Sequence, residues 1–189
     1  MKRICLTLVW LSLLNNALAG FDFTPTPAER TLEGVVFKQV IFHQDDHAVA
    51  YEPPRGWTCI GDKSKMTLVP PNLSLVQCTI DQVPLPAPQS FDAVTTKQLQ
   101  QQVIASMPSG SENIQLVSEE QNPVRINQQE SYAVTMSYRF YGQDYETSVL
   151  FANLGNTQLH FRTVALKKDF EAVRRAFRAS LFTLSWQTA

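Results

Sequence analysis

Between Tyr132 and Phe140 large side chains occupy every second position: Tyr132, Val134, Met136, Tyr138 and Phe140 alternate with Ala133, Thr135, Ser137 and Arg139. Helix faces repeat every 3.6 residues, so a period of two marks a strand with one face turned inward. Tyr141-Gly142-Gln143-Asp144 then turns the chain, and Tyr145, Thr147, Val149 and Phe151 alternate back. Asn153-Leu154-Gly155-Asn156 turns it again into Leu159, Phe161 and Thr163. Strands joined by such short turns pair antiparallel. The stretch predicts a three-stranded meander that the rest of the chain must cover.

Upstream the same period recurs in shorter runs. Residues 35–42 read as a strand with Val36, Lys38 and Val40 on one face and Phe37, Gln39 and Ile41 on the other, and residues 57–60, 66–69 and 75–80 as three consecutive strands. Two helices interrupt them. Ser90 is placed to cap a first helix from Phe91 to about Ser106, with Phe91, Leu99, Val103 and Met107 inward and Gln98, Gln100, Gln101 and Gln102 largely outside. A second, from about Asp169 to Leu181, carries the apolar stripe Phe170, Val173, Phe177 and Leu181. The run Val83-Pro84-Leu85-Pro86-Ala87-Pro88 reads as a rigid connector into the first helix.

The first nineteen residues have the three parts of a secretory signal: Lys2 and Arg3, an apolar run from Ile4 to Leu14, and Ala17-Leu18-Ala19, after which cleavage is expected. Cys5 lies inside the apolar run, so a lipid anchor lacks its acceptor there. Residues 1–19 are therefore assigned to a signal peptide, 20–34 to an extended tether marked by Pro25 and Pro27, and 35–189 to a single domain. The expected destination is the periplasm or the extracellular space. Loss of Lys2 and Arg3 leaves a net charge of about −3, which disfavours nucleic acid as a partner, and no transmembrane segment is expected in the mature chain.

Two cysteines remain after such cleavage, Cys59 and Cys78, and in an oxidising compartment they are expected to form a disulfide. A simple meander of the strands around them argues the other way, since it would set them two strands, or about 9 to 10 Å, apart.

The segment Tyr51-Glu52-Pro53-Pro54-Arg55-Gly56-Trp57, the strands after it, and the chain end from Phe170 to Trp186 together resemble the PsbP-like fold family. That resemblance implies an α+β fold: an α-β-α sandwich with a central antiparallel sheet of about six to seven strands and two main helices. The family includes photosystem II extrinsic subunits, a Ran-GTPase-binding protein and exported bacterial proteins of unknown role. It implies assembly and binding roles more than catalysis, and no functional residue of a characterised member transfers to this sequence.

His43-Gln44-Asp45-Asp46-His47 raises the question of a metal. Flanked by apolar strands, Gln44-Asp45-Asp46 reads as a hairpin loop that could set His43 opposite His47, with Asp46 or Asp45 completing an open zinc-like or copper-like site. Turn chemistry alone also explains the composition, and that account is preferred. Lys167, Lys168, Arg174, Arg175 and Arg178 could likewise receive an anionic partner, though a solvated helix face explains them. Tyr138, Tyr141 and Tyr145 could form a patch, though cross-strand packing explains them too.

Enzymatic signatures are sparse: there is no Gly-x-Ser-x-Gly elbow and no phosphate-cradling glycine loop. Gln158, His160 and Arg162 share a strand face that could hold a base, but no nucleophile can be assigned to it. The expectation is an exported, non-enzymatic binding or assembly module with no cofactor and a protein or small-ligand partner. A metal-binding protein using His43 and His47, and a hydrolase with a pocket at His160, are the alternatives.

Overall fold

The computed structural model describes residues 20–187. The expected signal peptide, with Cys5, lies outside the described residues. Eleven strands and two helices follow in the order β1 (Phe21–Leu32), β2 (Val35–Gln44), β3 (His47–Tyr51), β4 (Thr58–Gly61), β5 (Lys65–Val69), β6 (Gln77–Pro84), α1 (Ala93–Ala105), β7 (Glu112–Gln121), β8 (Ser131–Phe140), β9 (Gln143–Leu154), β10 (Thr157–Leu166), α2 (Lys167–Ser180) and β11 (Ser185–Trp186). A single 3-10 turn, Leu181–Thr183, links the last two.

The strands form two antiparallel sheets, a fold of the α+β class. The larger runs β4-β5-β6-β10-β9-β8-β7 and the smaller β1-β2-β3-β11. The predicted β8-β9-β10 meander is at its centre, in the register Tyr132↔Phe151↔His160. Strand alternation divides its side chains between two cores. Leu99 and Val103 of α1 pack over Tyr132, Val134, Met136, Val149 and Phe151 on one face. On the other, Val173, Phe177 and Leu181 from α2 and the turn after it join Leu150, Leu159 and Phe161. The same core takes Phe21, Phe23, Phe42, Val49 and Tyr51 from the small sheet. The helices thus lie on opposite faces of the large sheet, and the small sheet shares the α2 side.

Three expectations need correction. Residues 20–34 are no tether: β1 pairs with β2, and Phe21 and Phe23 are buried in the main core. Proline is tolerated on an edge strand because its missing N–H faces solvent, and β1 is an edge. Gln82 fastens this strand by accepting from Phe21 N and donating to Phe21 O, both at 2.7 Å. Close approach seals the contact: a Cβ on Gly61 would stand 2.3 Å from the Phe23 carbonyl oxygen. The first helix is capped by Asp92 rather than Ser90, its carboxylate accepting from Val94 N and Thr95 N at 3.0 and 2.8 Å.

The third correction concerns the cysteines, which are both free thiols. The consecutive strands β4, β5 and β6 pair as a meander, in the register Cys59↔Leu68↔Cys78. Leu68 stands between the two sulfurs' strands, a separation of about 9 to 10 Å that a disulfide cannot bridge. Burial pushes the Cys59 thiol up to about 11 and the Cys78 thiol up to about 12.

Candidate functional site

Where α1 stops short of covering the large sheet, a cleft of about 350 Å³ remains. One wall is the end of β6, with Val83 and Pro84, and the connector after it, with Leu85, Pro86 and Gln89; another is α1, with Thr95, Gln98, Leu99 and Gln102; β10 adds Gln158 and His160. The connector is held off the helix because Leu85 N donates to Asn156 O at 2.7 Å and Asn153 Nδ2 donates to Gln89 O at 2.8 Å. Among the described residues, the side-chain amides of Gln89, Gln98 and Gln102 make no hydrogen bond, and all three are exposed.

His160 is held at both ring nitrogens and against one neighbouring ring. Its Nδ1 lies 3.2 Å from Asp81 Oδ1 and its Nε2 2.9 Å from Gln158 Oε1, while the ring stands edge-on to Phe151 at 4.9 Å. Gln158 in turn donates to Asn153 Oδ1 at 2.8 Å. A continuous chain therefore runs from Asp81 through His160, Gln158 and Asn153 to the connector at Gln89. The alternation that groups Gln158, His160 and Arg162 is observed, and Arg162 donates to Ser106 Oγ at 2.8 Å. Burial pushes the Arg162 guanidinium below its ordinary value, and the Asp81 carboxylate opposes that shift.

Both ring nitrogens of His160 face protein oxygens, and among the described residues no hydroxyl or thiol hydrogen-bonds to the ring.

The hairpin at residues 43–47 forms as expected, but its register separates the two histidines. Gln44 pairs with His47 and His43 with Ala48, so the imidazoles stand on opposite faces of the small sheet instead of opposite each other. Asp46 lies in the turn, and Asp45 is tied to Gly20, whose N donates to Asp45 Oδ1 at 3.0 Å. Among the described residues, no group of three or more His, Cys, Asp or Glu side chains gathers into a metal-holding cluster.

Of the basic residues on α2, Arg174 and Arg178 close on Glu120 of β7 at 3.1 and 2.7 Å, and Arg174 also meets Glu171. Lys167, Lys168 and Arg175 stay exposed. Tyr138 and Tyr145 stack across β8 and β9 with ring centroids 5.6 Å apart, whereas Tyr141 is 90% exposed at the turn. Sequence reasoning missed Asp81 as the partner of His160 and missed the cleft itself. The available signal was the glutamine-rich flank of α1 next to a proline-rich connector.

No protein-family profile matches the sequence, and no curated protein does. Among solved structures, the chain resembles LpqN of Mycobacterium tuberculosis, a protein involved in cell envelope biogenesis. The TM-score is 0.52 at 11% identity over 87% of this chain and 91% of that one. It also resembles PA94 of Pseudomonas aeruginosa, of unknown function (TM-score 0.44, 10% identity, 86% of this chain and 99% of that one). A Bacteroides thetaiotaomicron protein matches at TM-score 0.46 and 13% identity; the match covers 74% of this chain but only 45% of that protein's length. The structural neighbours are thus bacterial proteins at low identity, and the likeness to LpqN is one of fold. Among the described residues no helix is long and apolar enough to cross a membrane.

Proposed function

We propose that this chain is an exported, non-enzymatic binding or assembly module that holds its partner or ligand in the cleft between α1, the connector and β10. The observation that carries the reading is the pairing of three uncommitted carboxamides, Gln89, Gln98 and Gln102, with an apolar lining of Leu85, Leu99 and two prolines. Ligand sites combine an apolar lining with a few polar groups that fix orientation, and this cleft is at the small end of their range. The PsbP-like resemblance supports the same reading, because that fold hosts binding and assembly roles. The likeness to a cell-envelope protein fits an exported setting by analogy of fold.

The hydrolase alternative gains a pocket at His160 and an Asp81 carboxylate that would orient the ring, but among the described residues no nucleophile hydrogen-bonds to it. The test is to fill the cleft. Gln98→Trp replaces an exposed residue and should leave the melting temperature unchanged. A partner or ligand recovered from the exported fraction with the wild-type protein as bait should be absent with the variant. Recovery of the same species by both proteins would remove the cleft from the function.

A further inference from the structure

Along α1, Thr95, Gln98 and Gln102 line the cleft from a single helix face. Gln98 and Gln102 are one turn apart, so their carboxamides repeat about every 6 Å along the helix axis. In an extended chain, backbone groups that point the same way repeat every second residue, about 6.6 to 6.8 Å. The two spacings nearly match. From Thr95 to Gln102 the helix wall measures about 10 Å, the length of about three extended residues.

The molecule already contains one example of the recognition such a wall would perform. Gln82 holds the extended residue Phe21 by both of its backbone groups, accepting from N and donating to O at 2.7 Å each. Gln98 and Gln102 carry the same planar donor and acceptor pair. Charge narrows the class further: the lining includes no Asp, Glu, Lys or Arg, and its one titratable side chain, His160, already faces Asp81. A charged group entering the cleft would be desolvated without a new counter-charge, whereas the prolines and leucines suit an apolar side chain.

We infer that the cleft binds an uncharged peptide segment of about three residues in extended form, its backbone amides read by Gln98 and Gln102 and its central side chain set against Leu85 and Leu99. The inference rests on the proposed reading of the cleft as a binding site. Its test uses the ¹⁵N-labelled protein titrated with acetyl-Ala-Leu-Ala-amide, with acetyl-Ala-Glu-Ala-amide and maltose as comparison probes. The leucine peptide should produce saturable shifts at the side-chain amides of Gln89, Gln98 and Gln102. The double variant Gln98→Leu/Gln102→Leu, both positions being exposed, should weaken binding at least tenfold. The glutamate peptide should also bind at least tenfold more weakly. Equal binding by the double variant, or no saturable shift with the leucine peptide, would overturn the inference. Maltose shifting these amides while the leucine peptide does not would overturn the peptide class alone and leave the cleft a binding site. Shifts confined to residues outside the cleft would overturn both.

Discussion

Glu120 shows how one side chain can account for a surface that otherwise reads as a docking patch. It accepts from Arg178 through both oxygens, at 2.7 and 3.0 Å, and from Arg174 at 3.1 Å. Two of the five basic residues that the sequence offers to an anionic partner are thereby spoken for within the fold. The Arg178 hydrogen bonds, with the charges of both arginines, hold the Glu120 carboxyl below its ordinary value. A depressed carboxyl stabilises above the unfolded group's pKa of about 4.3, and the contribution fades as pH falls through the folded value. Because the site is partly solvated, its worth is about 0.5 to 1 kcal/mol. Glu120→Gln should therefore lower the melting temperature at pH 7 and make little difference at pH 3. An equal gap at both pH values would assign the effect to packing rather than charge.

At the scale of elements, the central strands of the large sheet were legible, whereas β7 and β1 were not. β8 is buried on both faces, yet it alternates because its large side chains Tyr132, Val134 and Met136 turn to the α1 core and its small Ala133 to the α2 core. β7 is an edge, exposed along nearly its whole length and broken by two register shifts, so its sequence shows no period. β1 was hidden by Pro25 and Pro27, which read as a loop yet are tolerated at an edge. α2 was legible for the opposite reason. Its stripe of Phe170, Val173 and Phe177 is buried as its spacing predicts. Phe177→Ala should cost about 3 to 5 kcal/mol, whereas the exposed Arg175→Ala should change stability by less than about 0.5 kcal/mol; comparable small losses in denaturant melts would mean that α2 is not anchored through this face. The cleft was not legible at this scale, because Gln98 and Gln102 look like any solvated helix flank. Only the connector, tied back at Leu85 and Gln89, makes that flank into a wall.

For the whole molecule, the main core draws on both sheets and on α2, so the two sheets are expected to unfold together. Phe23 of the small sheet and Phe177 of α2 belong to one cluster, with Trp57 and Trp186 packed at its margin. Phe23→Ala should cost about 3 to 5 kcal/mol and shift tryptophan fluorescence and far-ultraviolet circular dichroism to one common midpoint. Separate midpoints would divide the protein into two cooperative units. The small sheet is also assembled from distant parts of the chain: Ser185 and Trp186 pair with Ala50 and Val49, Gln187 N donates to Ala48 O at 2.9 Å, and Trp186 Nε1 donates to Gln44 Oε1 at 2.6 Å. A ribosome releases a polypeptide from its N-terminus onward. Until residues 185–187 emerge, β3 presents a bare edge to whatever surrounds it, and anything that shields that edge must leave when they arrive.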